Sequence, residues 1–480
     1  MVDRNISKLA LLGFMWESGT KLLVQILSWS ATIYVANLLN PSDYTYLLIS
    51  GIYSAILVVI SGMGVSSGIV VSSKITDGQV NNLFWFLIFT GLLAYLALYL
   101  LSPFIEGIYG LESLGDVLKL SGLLIITSNI GLVPYAVLLK GLRFKYIALV
   151  DMFSKLVLIG VSVLMAYNGF QYWSLVVSVV VSQAVSAMMF IAGARFIPKA
   201  SFEFSSVVPL IRTSSRYLLV NISRYFNNNS VPFVISFVMN PVQVGIFQMA
   251  YTIATIPLLK VGEIFDHVTF PAVSALKGDV SRAKKMYLNL HKGLMGLAMP
   301  MYAGLFMISD DLVNVVLDDK WYDLIPILKI LCIINLLRMS LQLVPRVVEG
   351  LGRPGISIII LLVMTLLMPL GIIIGANWGY MGSFIGWLLI MPFIFIFAVH
   401  SINRAVGSGY VEVAHSVLPP ALSTTVMCAA LVAASFVSIP DVWLGGGLFI
   451  KILLGMLSYM LTYVAFFKKD FVQLKRLYSA

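Results

Sequence analysis

Residues 212–240 read RTSSRYLLVNISRYFNNNSVPFVISFVMN. The stretch is long enough to cross a bilayer, yet its first half is crowded with polar groups. At about 100° per residue, Thr213, Arg216, Tyr217, Asn221, Arg224, Asn227 and Asn228 fall on one side of a helix; Leu218, Leu219, Ile222 and Phe226 fall on the other. A charge near the middle of a spanning helix costs about 2.5–3.5 kcal/mol on insertion scales. Arg216 and Arg224 lie about 12 Å apart along the axis, and both need a reason to be there. The usual reason is a face that lines a water-filled cavity or a substrate path, and the sign of this face selects an anion.

The rest of the chain supplies the membrane. Of its 480 residues 60% are hydrophobic and 11% are charged, where soluble domains carry about 25% charge. A span needs about 20 apolar residues for a hydrocarbon core about 30 Å thick. The apolar runs are about twice the length of a barrel strand, so the spans are helical and the protein is all-α and polytopic. Fourteen spans can be marked: 8–37, 43–73, 81–101, 117–140, 146–166, 172–194, 213–239, 245–274, 284–307, 324–349, 355–376, 379–403, 414–437 and 443–467.

Charge tests this layout. With the N-terminus in the cytoplasm, the inner segments hold Arg4, Lys8, Lys74, Lys140, Arg143, Lys145, Arg195, Lys199, Arg212, Lys277, Arg282, Lys284, Lys285, Arg346, Arg353, Arg404 and the basic tail. The outer segments hold only Lys119 and Lys320, together with Asp43, Glu106, Glu112, Asp116, Asp310, Asp311, Asp318, Asp319, Asp323 and Asp441. That alternation is the positive-inside pattern and places both termini in the cytoplasm. The net charge of +10 is then a matter of orientation against anionic headgroups, not of nucleic acid. The first apolar run is long, carries Glu17 and Lys21, and does not read as a cleavable signal. Cys332 and Cys428 both lie inside apolar runs and read as core residues.

An internal repeat divides the spans. Leu38-Leu39-Asn40-Pro41 matches Val238-Met239-Asn240-Pro241, Leu132-Val133-Pro134 matches Leu343-Val344-Pro345, and Asn168-Gly169-Phe170 stands opposite Trp378-Gly379-Tyr380. The matches come in the same order at offsets of 200, 211 and 210. They predict a six-helix lobe over 1–200, a second over 201–408, and two additional helices with a cytoplasmic tail over 409–480. Parallel repeats of this kind suit a two-lobed, alternating-access transporter with a central cavity.

Three short motifs add a family likeness. They are Ala36-Asn37-Leu38-Leu39-Asn40-Pro41-Ser42-Asp43-Tyr44 after span one, Gly350-Leu351-Gly352-Arg353-Pro354 before span eleven, and Gly379-Tyr380-Met381-Gly382-Ser383 opening span twelve. With two six-helix bundles and two further spans, the chain resembles the Wzx-type polysaccharide flippases, in the superfamily that includes multidrug exporters and lipid II flippases. It departs from the family pattern at Asn37, Thr45 and Asn229, where members often carry Arg, Gly and a nearby Asp. The resemblance implies a bacterial inner-membrane flippase for an undecaprenyl-diphosphate-linked oligosaccharide, with H+ or Na+ as coupling ion. It also implies a polysaccharide polymerase and a chain-length regulator as partners.

Within the spans stand Lys21, Lys155, Arg216, Arg224, Lys260, Lys292, Lys329, Arg338 and Lys451, against Glu17, Asp151, Glu263 and Asp266. This excess of cations suits an anionic headgroup. Arginine forks onto phosphate oxygens and stays charged. Lys21, Arg216, Arg224, Lys260 and Arg338 are the candidate headgroup contacts, and Asn221 and Asn228 are candidates for sugar hydroxyls. Glu17, one turn before Lys21, is the candidate ion-coupling carboxylate; the alternative is a neutral internal pair.

No enzyme constellation stands beside these residues. The chain has no phosphate-binding glycine loop with lysine, no Gly-x-Ser-x-Gly and no metal-spaced His/Cys set, so neither catalysis nor a cofactor is expected. The acidic stretch Asp310–Asp323 reads as an outer loop. A multidrug or small-solute antiporter and a membrane glycosyltransferase or ligase are the competing readings. The first calls for an acid-rich cavity and the second for a sizeable outer domain.

Overall fold

The computed structural model describes residues 24–71, 75–199, 203, 205, 208–276, 278–436 and 446–466. Among them there is no strand. Backbone groups in hydrocarbon must be satisfied within the chain, and a helix does this segment by segment. The order is α1 (residues 24–38), α2 (Pro41–Ser61), α3 (Val65–Val71), α4 (Asp77–Tyr109), α5 (Leu114–Ser121), α6 (Leu123–Lys140), α7 (Phe144–Tyr167), α8 (Gln171–Ala194) and α9 (Val208–Val238). Then come α10 (Pro241–Ser274), α11 (Val280–Val316), α12 (Leu324–Leu341), α13 (Leu343–Gly350), α14 (Pro354–Ala376), α15 (Gly379–Val406), α16 (Tyr410–Ser435) and α17 (Gly446–Phe466).

Eleven of the described helices are long and apolar enough to cross a membrane. Helices α9 and α11 are longer than most, at 31 and 37 residues, but richer in polar groups and outside that set. Spans four and ten, expected as single helices, are each interrupted once, at Gly122 and at Gln342. Span two breaks at Met63 and Gly64, both left-handed.

The chain divides into two compact units, residues 1–229 and 230–480. In the first, Val65, Ile69, Leu83, Phe84, Leu87, Val133 and Ala136 make an apolar core between α3, α4 and α6. Polar groups in this unit find neutral partners. Asn129 of α6 donates to the Leu87 carbonyl (2.9 Å), and Thr90 donates to the Ser61 carbonyl (2.9 Å). In the second unit, α16 and α17 both pack on α11. Tyr459 of α17 donates to the Gly296 carbonyl at 2.7 Å.

The repeat is visible in local structure. Asn40 and Asn240 each precede a proline-started helix; the Asn40 amide donates to the Asp43 carboxylate (2.8 Å) and the Asn240 amide to the Gln243 side chain (3.3 Å). Helices α6 and α13 end in the same turn. Leu142 and Gly352 are left-handed, and the Arg143 and Arg353 amides reach back to the Leu138 and Val348 carbonyls. Each arginine then caps a neighbouring helix: Arg143 donates to the Gly193 carbonyl of α8 at 2.7 Å, and Arg353 to the Ala405 carbonyl of α15 at 3.5 Å. The two arginines are 210 residues apart, the offset that also relates Gly169 to Gly379, both left-handed.

Helices α14 and α15 meet along a glycine seam, Gly371-x3-Gly375 against Gly382-x3-Gly386. A Cβ on Gly371 would lie 2.7 Å from the Gly386 carbonyl oxygen, and one on Gly375 would strike the Gly382 carbonyl. Small residues let helix backbones approach where hydrophobic pressure is absent. Gly375→Ala is expected to destabilise the second unit by about 1–3 kcal/mol, read as a lower melting temperature in detergent. Gly107→Ala, with nothing within 4 Å of its Cβ, is the matched control and leaves the melt unchanged.

Candidate functional site

The residues singled out from sequence fall in both units. Glu17 and Lys21 lie outside the described residues. Arg216 belongs to α9, but its side chain is likewise outside the description. Further along α9, Arg224 and Asn228 are exposed and Asn221 is half-buried. Tyr225 points into the first unit and donates to the Ile52 carbonyl of α2, and the Asn229 amide donates to the Tyr225 carbonyl (3.0 Å). The polar face expected for α9 is therefore open at Arg224 and Asn228. Phe226, expected on the opposite side, is 47% exposed as well.

In the second unit Lys260 is exposed on α10, whereas Arg338 of α12 is only 8% exposed. The Arg338 Nη1 donates to Asn335 Oδ1 at 3.1 Å. Asn335, fully buried, passes the interaction on: its amide donates to the Ala254 carbonyl of α10 at 3.0 Å. The Tyr302 hydroxyl of α11 donates to the same carbonyl at 3.2 Å. Pro257 lies in the next turn of α10 and loosens its hydrogen-bond ladder. The result is a polar node joining three helices around one carbonyl. A guanidinium has five N–H donors. Among the described residues no carboxylate pairs with Arg338.

Four other cations in or beside the spans are neutralised, whereas Lys155 of α7 is exposed and makes no ion pair among the described residues. Lys329 pairs with Asp310 and Lys451 with Asp311, each at 2.6 Å; Lys284 pairs with Glu412 at 2.7 Å. Arg346 lies 3.3 Å from Asp266 and 3.6 Å from Glu349. Asp310 and Asp311 are not in an outer loop, as the sequence suggested, because α11 runs on to Val316 and carries them beside the lysines of α12 and α17. The cation excess is smaller than a count over spans implies. Of the candidate contacts whose side chains are described, Arg224, Lys260 and Arg338 make no ion pair among the described residues.

Sequence reasoning missed the Asn335 node, although Asn335 and Arg338 stand one turn apart on one apolar helix. It also left His291 unassigned. That side chain is buried between α11, α12 and α16, with Nδ1 2.9 Å from Ser416 Oγ and Nε2 2.8 Å from Ser340 Oγ. Ser416 spends its proton on the Val413 carbonyl (2.6 Å). It must therefore accept from Nδ1–H, which leaves Nε2 to accept from Ser340 in the neutral ring.

A family model described as "Polysaccharide biosynthesis protein" matches residues 34–326, more than half of the chain. The chain belongs to the polysaccharide biosynthesis protein family. It is 24% identical over 406 residues to the lipopolysaccharide biosynthesis protein WzxC of Escherichia coli (strain K12), covering 83% of this chain and 82% of that one. It is 24% identical over 355 residues to the teichuronic acid biosynthesis protein TuaB of Bacillus subtilis (strain 168), covering 74% of each. Its fold is that of the lipid II flippase MurJ in an inward closed conformation: TM-score 0.78 at 14% identity, covering 95% of this chain and 99% of that one. An inward-facing MATE multidrug transporter matches with TM-score 0.61 at 15% identity, over 82% and 95%. The family that the short turn motifs resemble is the one found, and the protein is a multi-pass membrane protein.

The Asn335 node generates a test. Asn335→Leu leaves a buried guanidinium without its acceptor and is expected to cost about 1–3 kcal/mol. Adding Arg338→Met to that variant removes the stranded charge and restores part of the loss, as thermal melts of the single and double variants will read.

Proposed function

We propose that the chain is a flippase that moves an undecaprenyl-diphosphate-linked oligosaccharide from the cytoplasmic to the outer leaflet of a bacterial plasma membrane. It works by alternating access, coupled to H+ or Na+, with both termini in the cytoplasm. The observation that carries this reading is the fold, which follows that of a lipid flippase over 95% of the chain. Cations without acid partners on its helices support an anionic cargo. A diphosphate cannot enter hydrocarbon without replacing its hydration, and fixed guanidinium and ammonium groups supply that replacement.

In this reading Arg216, Arg224, Lys260 and Arg338, with Lys21, meet the diphosphate, and Asn221 and Asn228 meet sugar hydroxyls. Glu17 carries the coupling ion. Lobes over 1–200 and 201–408 rock, and the helices of 409–480 accompany the second. A polymerase and a chain-length regulator then act on the product. A base-rich set of this kind disfavours the export of cationic drugs.

The test is leaflet-to-leaflet transfer of a lipid-linked oligosaccharide in reconstituted vesicles. A charge-assisted hydrogen bond is worth about 1.5–3 kcal/mol, so Arg224→Ala is expected to slow transfer about tenfold or more. Arg224→Lys keeps the charge and most of the rate. Transfer at the full rate by the alanine variant would remove Arg224 from the mechanism, and no transfer by the unaltered protein would remove the mechanism itself.

A further inference from the structure

One end of the first unit gathers a different chemistry. Tyr46 of α2 and Tyr172 of α8 are stacked, with ring centroids 4.1 Å apart and planes 18° from parallel. Trp173 follows, its ring 5.4 Å from that of Tyr172. All three are half-buried, so the rings are held but not sealed. The Tyr46 hydroxyl is tied to the Glu112 carbonyl at 2.9 Å, which fixes the ring in its plane. Helix α2 packs against α4, α5, α6 and α8 and is an inner element of the unit.

The charges at this end are acidic. Glu106 is consumed in structure, its two oxygens accepting from the Ser113 and Gly115 amides at 3.2 and 2.9 Å. The Glu112 side chain is exposed, and among the described residues its carboxylate has no partner. Lys119, the nearest base along the chain, is already paired with Asp116 at 2.8 Å. A diphosphate is repelled from such a surface. A neutral pyranose fits it, because its C–H faces stack on aromatic rings and its hydroxyls donate to a carboxylate.

We propose that Tyr46, Tyr172 and Trp173, with the Glu112 carboxylate, form a saccharide-stacking site in the first unit, separate from the cationic residues. The charge bias of the connections places it at the outer end. The proposal rests on the flippase reading for its cargo: the site takes a sugar ring of the repeat unit after the headgroup has been bound elsewhere.

The experiment uses the full-length protein in detergent. The probe is the host's own repeat-unit oligosaccharide, cleaved from its lipid by mild acid, with inorganic pyrophosphate as a second probe; both are titrated by calorimetry. Tyr46→Leu and Tyr172→Leu are expected to weaken saccharide binding about three- to tenfold, the range of one aromatic contact, and to leave pyrophosphate binding unchanged. Tyr172→Phe keeps the ring and keeps the affinity. Should the leucine variants fail to fold, Glu112→Ala is an exposed change, expected to weaken saccharide binding about tenfold, the loss of one charge-assisted hydroxyl-to-carboxylate bond. Unchanged saccharide affinity in the folded variants overturns the site. So does an unaltered protein that binds no saccharide while still moving lipid-linked oligosaccharide in vesicles, and that result leaves the flippase reading standing. Saccharide binding without any vesicle transfer has the opposite effect.

Discussion

Hydrocarbon offers no hydrogen bonds, and that one deficiency organises this protein. Every backbone amide must be satisfied inside the chain, so the described spans are helices. Every polar side chain in a span must find a neighbour or a use. The first unit settles Asn129, Ser61 and Thr90 with neutral bonds to carbonyls and hydroxyls. The second unit settles His291 between two serines and Asn335 on a helix carbonyl. Where charge is involved the same rule produces close pairs, Lys329 with Asp310 and Lys451 with Asp311. Their side chains are a fifth to about half exposed, so these pairs tie α11 to α12 and α17 while water still shares in solvating the charges.

Against that background the unpaired cations stand out. Arg338 is nearly sealed from solvent and has only an amide oxygen for company among the described residues. Arg224 is exposed on a helix rich in polar groups, and Lys260 on one apolar enough to cross a membrane. Positive charge kept without an internal partner suits an anion that comes and goes. The acidic, aromatic end of the first unit has the opposite character. A lipid-linked saccharide is itself divided in this way, into a charged diphosphate and a neutral polyhydroxyl chain.

Much of the architecture could be read in advance. The alternation of basic and acidic connections and the length of the apolar runs located the helices. The repeated Asn-Pro starts and the Gly169 and Gly379 turns marked the repeat. Its most telling instance escaped, because Lys140-Gly141-Leu142-Arg143 and Gly350-Leu351-Gly352-Arg353 share only their arginine at that offset. The turn places a leucine in a left-handed conformation in one copy and a glycine in the other, and the arginine does the same work in both. Asp310 and Asp311 were misplaced because acidic residues after an apolar run look like a loop. Their lysine partners are 19 and 140 residues distant, so only the fold brings them together. The Asn335 node failed to announce itself for the same reason: its acceptor is a backbone carbonyl, which carries no residue identity.

The glycine seam of α14 and α15 has a mechanical meaning. Two helices in backbone contact over two successive turns cannot slide or roll past each other without collision. They form a stiff pair within the second unit. Any bending that accompanies a working cycle must then fall on softer places, such as the proline-interrupted stretches of α10, α11 and α16.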